Sequence, residues 1–444
     1  MTAETIFALA SAPGRAGVAV MRLSGPSARA ALERIAGVVP PPRRAQRRRF
    51  VDPASGEPID DGLALFFPAP NSFTGEDVAE LHIHGSRAVV AALVAALGRM
   101  PGLRLAEPGE FTRRAFEHGK LDLTAAEGLA DLVAAETAAQ RRQALRQLGG
   151  ALGRLYEDWR SRLLRALAYI EAEIDFPEEG LPEGLWQEVR GSTAALEAEI
   201  AGHLADGHRG ERLRDGVLVA IIGPPNAGKS SLMNALARRD VAITSAIAGT
   251  TRDVIEVALD LGGYPIVLAD TAGLREAGDA IEEEGVRRAR ARAAAADLRL
   301  LVLDASAPAP GLAAELADGD TLIILNKIDL GPAKDGKWAD EPGGTPPVRL
   351  SVLTGAGMSE LLVQLQQEVA MRFAPGDAPL ITRARHRAAL EECLAALRRF
   401  HQQPAAELAA EDLRMATQSL GRITGRVDVE DMLDVIFREL CIGK

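Results

Sequence analysis

From Gly223 to Ser230 the chain reads GPPNAGKS, immediately after the apolar run VLVAII (Val217 to Ile222) and opening into SSLMNALA. Two glycines, a lysine and a hydroxyl residue at this spacing, between a strand and a helix, form a phosphate-binding loop. The backbone N–H groups of a tight turn at a helix N-terminus point at an anion, and the helix dipole favours negative charge there. Lys229 would neutralise the β- and γ-phosphates, and the Ser230 hydroxyl would ligate Mg²⁺. Asn226, Ala227, Gly228 and Ser231 complete the cradle. Such a loop needs a strand with a sheet around it, and the sequence supplies one. Between Gly216 and about Arg372, YPIVLAD (264–270), LRLLVLDA (298–305), TLIILNK (321–327) and PVRLS (347–351) alternate with helical segments. This predicts a parallel sheet covered on both faces.

Three further motifs follow in the order a GTPase requires. IAGTTRD (Ile247 to Asp253) offers Thr251 as a second hydroxyl towards Mg²⁺, and DTAG (Asp270, Thr271, Ala272, Gly273) offers an acid towards the metal and a glycine N–H towards the γ-phosphate. NKID places Asn326, Lys327 and Asp329 at the end of a strand. The Asp329 carboxylate can accept the guanine N1–H and exocyclic amine together. Adenine presents no such pair, so the acid selects GTP. SVLTGAG, from Ser351, fits the last base-contacting loop weakly, because Val352 stands where a small residue is usual. Leu274 follows DTAG, where Ras-type GTPases carry a glutamine that orients the attacking water. A polar group from elsewhere is therefore required for rapid hydrolysis. Glu282, Glu283 and Glu284 are the candidates, the last two also reading as a solvated helix start. Arg252 and Arg275 are near, but no arginine finger is assignable.

The remainder of the 444 residues suits two to four domains. Residues 1–120 mix short strands, GVAVMRLSG (Gly17 to Gly25) and DGLALFFPAP (Asp61 to Pro70), with a helix over Ala88 to Leu97, which predicts an α+β domain. From 121 to 213 an apolar stripe (Leu148, Leu152, Leu155, Trp159, Leu163, Leu167, Ile170, Ile174) reads as a helical bundle, and 373–444 returns to that character. The expected fold is thus a multidomain α/β protein: an α+β amino-terminal domain, and a helical bundle into which a Ras-like P-loop GTPase domain, 214–372, is inserted. The longest apolar run, Ala88 to Leu97, is about half of a bilayer span. With no basic leader and only two cysteines, Cys393 and Cys441, the expectation is a cytoplasmic protein away from membranes. A net charge of −11 means that nucleic acid must be held by local patches. Arg43, Arg44, Arg47, Arg48 and Arg49 are one, with a solvated basic loop as the plain alternative. Cys441 in the terminal CIGK stands where a prenylation box places its cysteine, but Gly443 and Lys444 fail that pattern.

GPPNAGKSSLMNAL, IAGTTRD, DTAGLRE, NKID and CIGK, together with PGRAGVAVMRLSG, PNSFTGEDVAELHIHG and PGEFTRRAFEHGKLDLTAAEGLADL, resemble the tRNA modification GTPase MnmE (TrmE) family over the whole chain. The resemblance implies an amino-terminal domain that binds 5-formyltetrahydrofolate, or its methylene counterpart, and forms a homodimer. It implies a MnmG-like FAD- and NADH-using flavoprotein partner. With it, an aminomethyl or carboxymethylaminomethyl group is added to C5 of the wobble uridine of certain tRNAs. It implies K⁺-stimulated meeting of G domains, with Asn226, Ser245, Ile247 and Thr250 around K⁺, and Glu282 orienting the water. Arg22, Glu80, Lys120 and Lys444 are the implied folate contacts, and Cys441 is the candidate catalytic thiol beside them in the CIGK end. Ser245 and Ala246 depart from the family's usual Thr and Asp. A ribosome-assembly GTPase binding rRNA is the other class; it would need an RNA module such as a KH fold, and the chain shows none. A prenyl-anchored switch is the third.

Overall fold

The structure, a computed structural model, describes residues 4–176, 184–239, 256–270, 295–306, 319–331, 346–374, 376, 378–427, 433, 436–437 and 443. It comprises two compact units: Met1–Ala130, Gln147–Leu181 and Pro404–Lys444 form one, Asp131–Arg146 and Pro182–Gln403 the other.

In the first unit the elements run β1 (Thr5–Leu9), β2 (Ala16–Ser24), α1 (Ala28–Ala36), β3 (Gln46–Val51), β4 (Pro58–Phe67), β5 (Val78–Gly85), α2 (Arg87–Gly98), β6 (Leu103–Leu105), α3 (Glu110–Glu117) and α4 (Leu123–Ala134). The sheet order is β3-β4-β5-β2-β1-β6, antiparallel except for the β1/β6 pair. Strand alternation sorts its faces. On β5, Ala79, Leu81 and Ile83 join the core formed with α1 and α2, which also holds Met21, Leu23, Phe50 and Phe66. Glu80 and His82, between them in sequence, stand on the opposite face.

The long helix α6 (Ala151–Asp175) buries Leu152, Trp159, Leu163, Leu167 and Ile170 of the predicted stripe; α5 (Ala138–Leu148) precedes it. Its partner is the helix Ala406–Thr424. Near the carboxyl end, Leu433 and Phe437 pack with Leu123, Ala126 and Phe116. Gly109, in the left-handed region, lies so close that a Cβ there would meet the Phe437 carbonyl at 2.1 Å.

In the second unit follow α7 (Leu185–Leu204), α8 (Arg209–Asp215), β7 (Val217–Ile222), α9 (Lys229–Ala237), β8 (Glu256–Leu261), β9 (Tyr264–Asp270), β10 (Leu298–Asp304), β11 (Thr321–Asn326), β12 (Val348–Arg349), α10 (Met358–Phe373) and α11 (Ala384–Gln402). α12 (Ala406–Thr424) returns the chain to the first unit and packs along α6. α7 packs against α11, so helices from before and after the strand-rich region pair with each other. The sheet order is β12-β11-β10-β7-β9-β8. It is parallel as expected, except that β8 runs antiparallel to β9. The Gly262–Gly263 turn joins them with φ of 61° and 88°, the two-residue hairpin that paired glycines permit. Val219, Ile221, Leu268, Leu300 and Ile324 form the buried floor beneath α9 and α10.

Candidate functional site

β7 ends at Ile222 and delivers the chain into a loop of unusual backbone: Gly223 at φ 141°, Asn226 at 63° and Gly228 at 99°. Only glycine serves at the two ends of it. A Cβ on Gly223 would meet the Val302 carbonyl at 2.2 Å, and one on Gly228 the Asn326 amide at 2.2 Å. Asn226 is the residue type, glycine aside, that tolerates the left-handed region best. Gly228 caps α9, whose first N–H groups have no partner within a helix. Lys229 Nζ donates to the carbonyls of Gly223 (2.9 Å) and Pro224 (2.8 Å), lying across the loop it is expected to serve. Ser230 and Ser231 follow, exposed in the first turn.

The base side is built on β10 and β11. Asn326, 3% exposed, donates through Nδ2 to the Ala227 carbonyl (2.9 Å) and accepts at Oδ1 from the Val352 N–H (3.1 Å). It therefore pins the phosphate loop to the SVLTGAG loop. The Val352 contact is made by the backbone, so the bulk of its side chain, which weakened the motif in sequence, does not interrupt it. Ser351 is fully buried; its N–H donates to the Ala356 carbonyl (2.9 Å), and its own carbonyl accepts from Gly355 (2.9 Å), closing a tight turn. Lys327 adopts φ 67° and its ammonium pairs with Asp304 at 2.6 Å. Partial burial works to raise the Asp304 pKa, but the Lys327 and Ser306 bonds outweigh it and hold the carboxyl below its ordinary range. Asp329 lies exposed in the one-turn helix Ile328–Leu330. Asp304, absent from the sequence reading, could have been found as the acid closing the strand beside NKID.

Asp270 ends β9, next to β7 in the sheet, as expected of the DTAG motif. Ser245, Ile247, Thr250, Thr251, Thr271, Ala272, Gly273, Glu282, Cys441 and Lys444 lie outside the described residues. Among those described, no group of three or more His, Cys, Asp or Glu is placed to hold a metal. Cys393, on α11, is buried and its thiol is pushed up to about 12 by desolvation, which removes it as a nucleophile.

In the first unit the structure brings together two of the four expected folate contacts. Arg22 and Glu80 face each other across β2 and β5, bonded through Nε and Nη2 to Oε1 at 3.1 Å each. Glu80 Oε2 also shares a hydrogen bond with His82 Nε2 at 3.2 Å. The His82 bond leads, burial opposes, and Arg22 adds to it, so that the Glu80 carboxyl is held below its ordinary range. The Arg22 guanidinium lies 5.5 Å from the Phe73 ring and 5.8 Å from that of Phe111. Lys120, exposed after α3, reaches the same loop: its Cε would lie 3.3 Å from a Cβ on Gly75. Gly443 stands against Leu9, where a Cβ would be 2.3 Å from the carbonyl, and the neighbouring Ala8 is paired with Arg22. His82, Phe73 and Phe111 were missed in sequence; only the alternation of HIHG on a strand signalled the first.

Glu80→Gln is expected to cost about 1–2 kcal/mol at pH 7, because Arg22 would keep its half-buried charge without a counter-charge. A depressed carboxyl contributes its stability above the unfolded pKa and loses it as pH falls through the folded one. Urea unfolding of both proteins should therefore show the gap closing below about pH 4. A gap that persists in acid would assign the effect to shape rather than charge.

A family model described as the MnmE helical domain matches residues 123–441, and one described as the GTP-binding protein TrmE N-terminus matches residues 5–120. The "tRNA modification GTPase MnmE" of Parvibaculum lavamentivorans is 60% identical over 446 residues, covering 99% of this chain and 100% of that one. Those of Rhodospirillum rubrum (58%, 100% of each chain) and Paramagnetospirillum magneticum (59%, 99% of this chain and 100% of that one) are similarly close.

Proposed function

This chain belongs to the MnmE family of tRNA modification GTPases, and we propose that it hydrolyses GTP in the β7–α9 cradle to drive modification of the wobble uridine of tRNA. The observation that carries the nucleotide site is Asn326: one buried side chain joins the phosphate loop to the base loop. Lys229 would exchange its two carbonyl partners for the β- and γ-phosphates, a gain because the bonds become charge-assisted on both sides. Asp329, exposed beside the loop, would accept from the guanine edge, with Lys327 held in place by Asp304. Ser230 and Thr251 would hold Mg²⁺, which supplies positive charge at the β- and γ-phosphates. Asn226, Ser245, Ile247 and Thr250 would hold K⁺, which supplies the charge an arginine finger brings elsewhere. Both fits rest on the loop itself, where Asn226 and Ser230 are exposed.

The amino-terminal sheet is the folate site in this reading. Arg22, Glu80 and Lys120 would line it, with Lys444 and Cys441 as its further residues; the described residue between them, Gly443, stands against Leu9. A pterin presents a 2-amino-4-oxo edge like that of guanine, so Glu80, kept ionised, can accept from it. The one-carbon unit would come from 5-formyl- or methylene-tetrahydrofolate, and the redox chemistry from a MnmG-like flavoprotein using FAD and NADH. A homodimer in the cytoplasm completes the reading. No helix among the described residues is long and apolar enough to cross a membrane. The working segments are 1–120 for folate and dimerisation, 121–213 and 373–444 for the helical domain, and 214–372 for GTP.

Mass spectrometry of tRNA nucleosides from cells lacking the protein tests this. Loss of the C5 substituent on wobble uridines is expected; unaltered nucleosides would overturn the reading. The ribosome-assembly alternative predicts altered subunit profiles with intact uridines.

A further inference from the structure

The arginine run, read in sequence as a candidate nucleic-acid patch with a solvated loop as the alternative, is, from Gln46 onward, the outermost described strand of the amino-terminal sheet. Arg43 and Arg44 precede β3, and Arg47, Arg48 and Arg49 lie on it. Between Pro26 and Val51 the chain holds seven arginines and one acid, Glu33, in a protein of net charge −11. The clustering is spatial as well, because α1, with exposed Arg29 and Arg34, packs on β3.

Few of these charges are used within the protein. Arg49 pairs with Asp61 at 3.1 Å, but the two are 65% and 39% exposed, and such pairs contribute little. Arg48 turns back onto Gln46 and the Arg47 carbonyl. Arg44 and Arg47 are exposed and make no ion pair among the described residues. Arg43 donates through Nη2 to the Asn71 carbonyl and lies 6.0 Å from the Phe67 ring, and Arg29 lies 5.6 Å from Phe66. A guanidinium resting on an aromatic face keeps N–H groups at its edge available for phosphate.

Charges on an edge strand ordinarily guard against edge-to-edge pairing, and lysine is the usual choice. That explains Arg47 or Arg49, but not the continuation into the preceding turn and onto α1. Arginine's planar fork matches phosphate bidentately. Arg47 and Arg49 share a face of the strand about 7 Å apart, comparable with neighbouring phosphates on an RNA strand. The aromatic rings here lie beneath arginines rather than open for base stacking, which fits backbone contacts over base readout.

We propose that the β3 edge, with the Arg43–Arg44 turn and the exposed arginines of α1, is the surface that holds the phosphate backbone of tRNA; the identity of the RNA rests on the tRNA-modification reading above. Contacts of this kind position the substrate without choosing its sequence.

The test is binding of unfractionated tRNA to the full chain by fluorescence anisotropy, between about 50 and 200 mM salt. For Arg44→Gln/Arg47→Gln, affinity should fall about tenfold, and the slope of log K against log salt should drop by about 1 per arginine removed. GTP turnover should not change, and Arg44→Lys/Arg47→Lys should recover most of the slope. Unchanged affinity and slope would overturn the proposal, as would absence of tRNA binding by the natural chain. Phosphatidylserine vesicles run in parallel would overturn it if the loss were confined to them. A variant that scatters light while binding tRNA normally would reduce the arginines to edge protection. The wobble-uridine measurement is independent: intact uridines with a lost tRNA slope would sink the modification reading and leave an RNA surface.

Discussion

Asn326→Ala is expected to weaken guanine-nucleotide binding about 100-fold while the sheet around it stays folded. The side chain is buried and satisfies two backbone groups, the Ala227 carbonyl and the Val352 N–H. Alanine orphans both, and each buried orphan costs about 1–3 kcal/mol. Part of that cost will appear as stability, because both bonds belong to the fold itself. The remainder appears in affinity, since phosphate and base can be gripped together only while the loops keep their spacing; about 2.7 kcal/mol corresponds to the expected factor. Asn326→Asp sharpens the test. It can still accept from Val352 but sets a carboxylate against the Ala227 carbonyl, so it should bind at least as poorly as alanine. Calorimetric titration with GDP, alongside the urea midpoint, separates the two contributions. Affinity within about threefold of the natural chain, with a lowered midpoint, would make the bridge a packing feature only.

What could be read from the sequence was mostly what is local. β7, Gly223 and Gly228 are legible because strand, turn and cap chemistry operate within a dozen residues, and the steric demand at both glycines agrees with the motif. The α6 stripe was legible for the same reason. The bridge made by Asn326 was not, since its partner Ala227 is 99 residues away and the motif alone assigns the side chain to the base. The Arg22–Glu80 pair, 58 residues apart, is a consequence of antiparallel register that no spacing announces. β8 escaped notice because its short apolar run, Val257 to Leu261, is broken by Asp260 and lies at a sheet edge, although Gly262–Gly263 marked its turn. β3 was hidden by its arginines: Phe50 alone of that strand is fully buried, so charge masked the alternation.

Glu282→Ala is expected to lower kcat for GTP by about 10²–10³-fold and to leave GTP affinity within about threefold, the range set by a positioned group acting on the reacting water. Leu274 makes this prediction necessary. A leucine after DTAG cannot hydrogen-bond the nucleophile, so either hydrolysis is intrinsically slow or another acceptor is delivered to the γ-phosphate. Of the three glutamates in GLREAGDAIEEEG, Glu283 and Glu284 suit a solvated helix start, where acids are favoured by the dipole, and their alanine variants should turn over normally. A loss confined to kcat identifies an interaction made in the transition state and not in the ground state. The cation provides the second axis. The natural chain should hydrolyse GTP clearly faster in K⁺ than in Na⁺ at equal ionic strength, because Asn226 and its neighbours would place the ion against the phosphates. With Glu282 proposed to act on the water and K⁺ on the phosphate charge, the K⁺/Na⁺ ratio should survive in Glu282→Ala at the reduced rate. Loss of the ratio together with the rate would mean that the two act as one unit, with Glu282 positioned only when the K⁺ site is filled. Natural turnover in the variant would return Glu282 to the solvent and leave the acceptor to be sought among the remaining polar groups of the segment after Leu274.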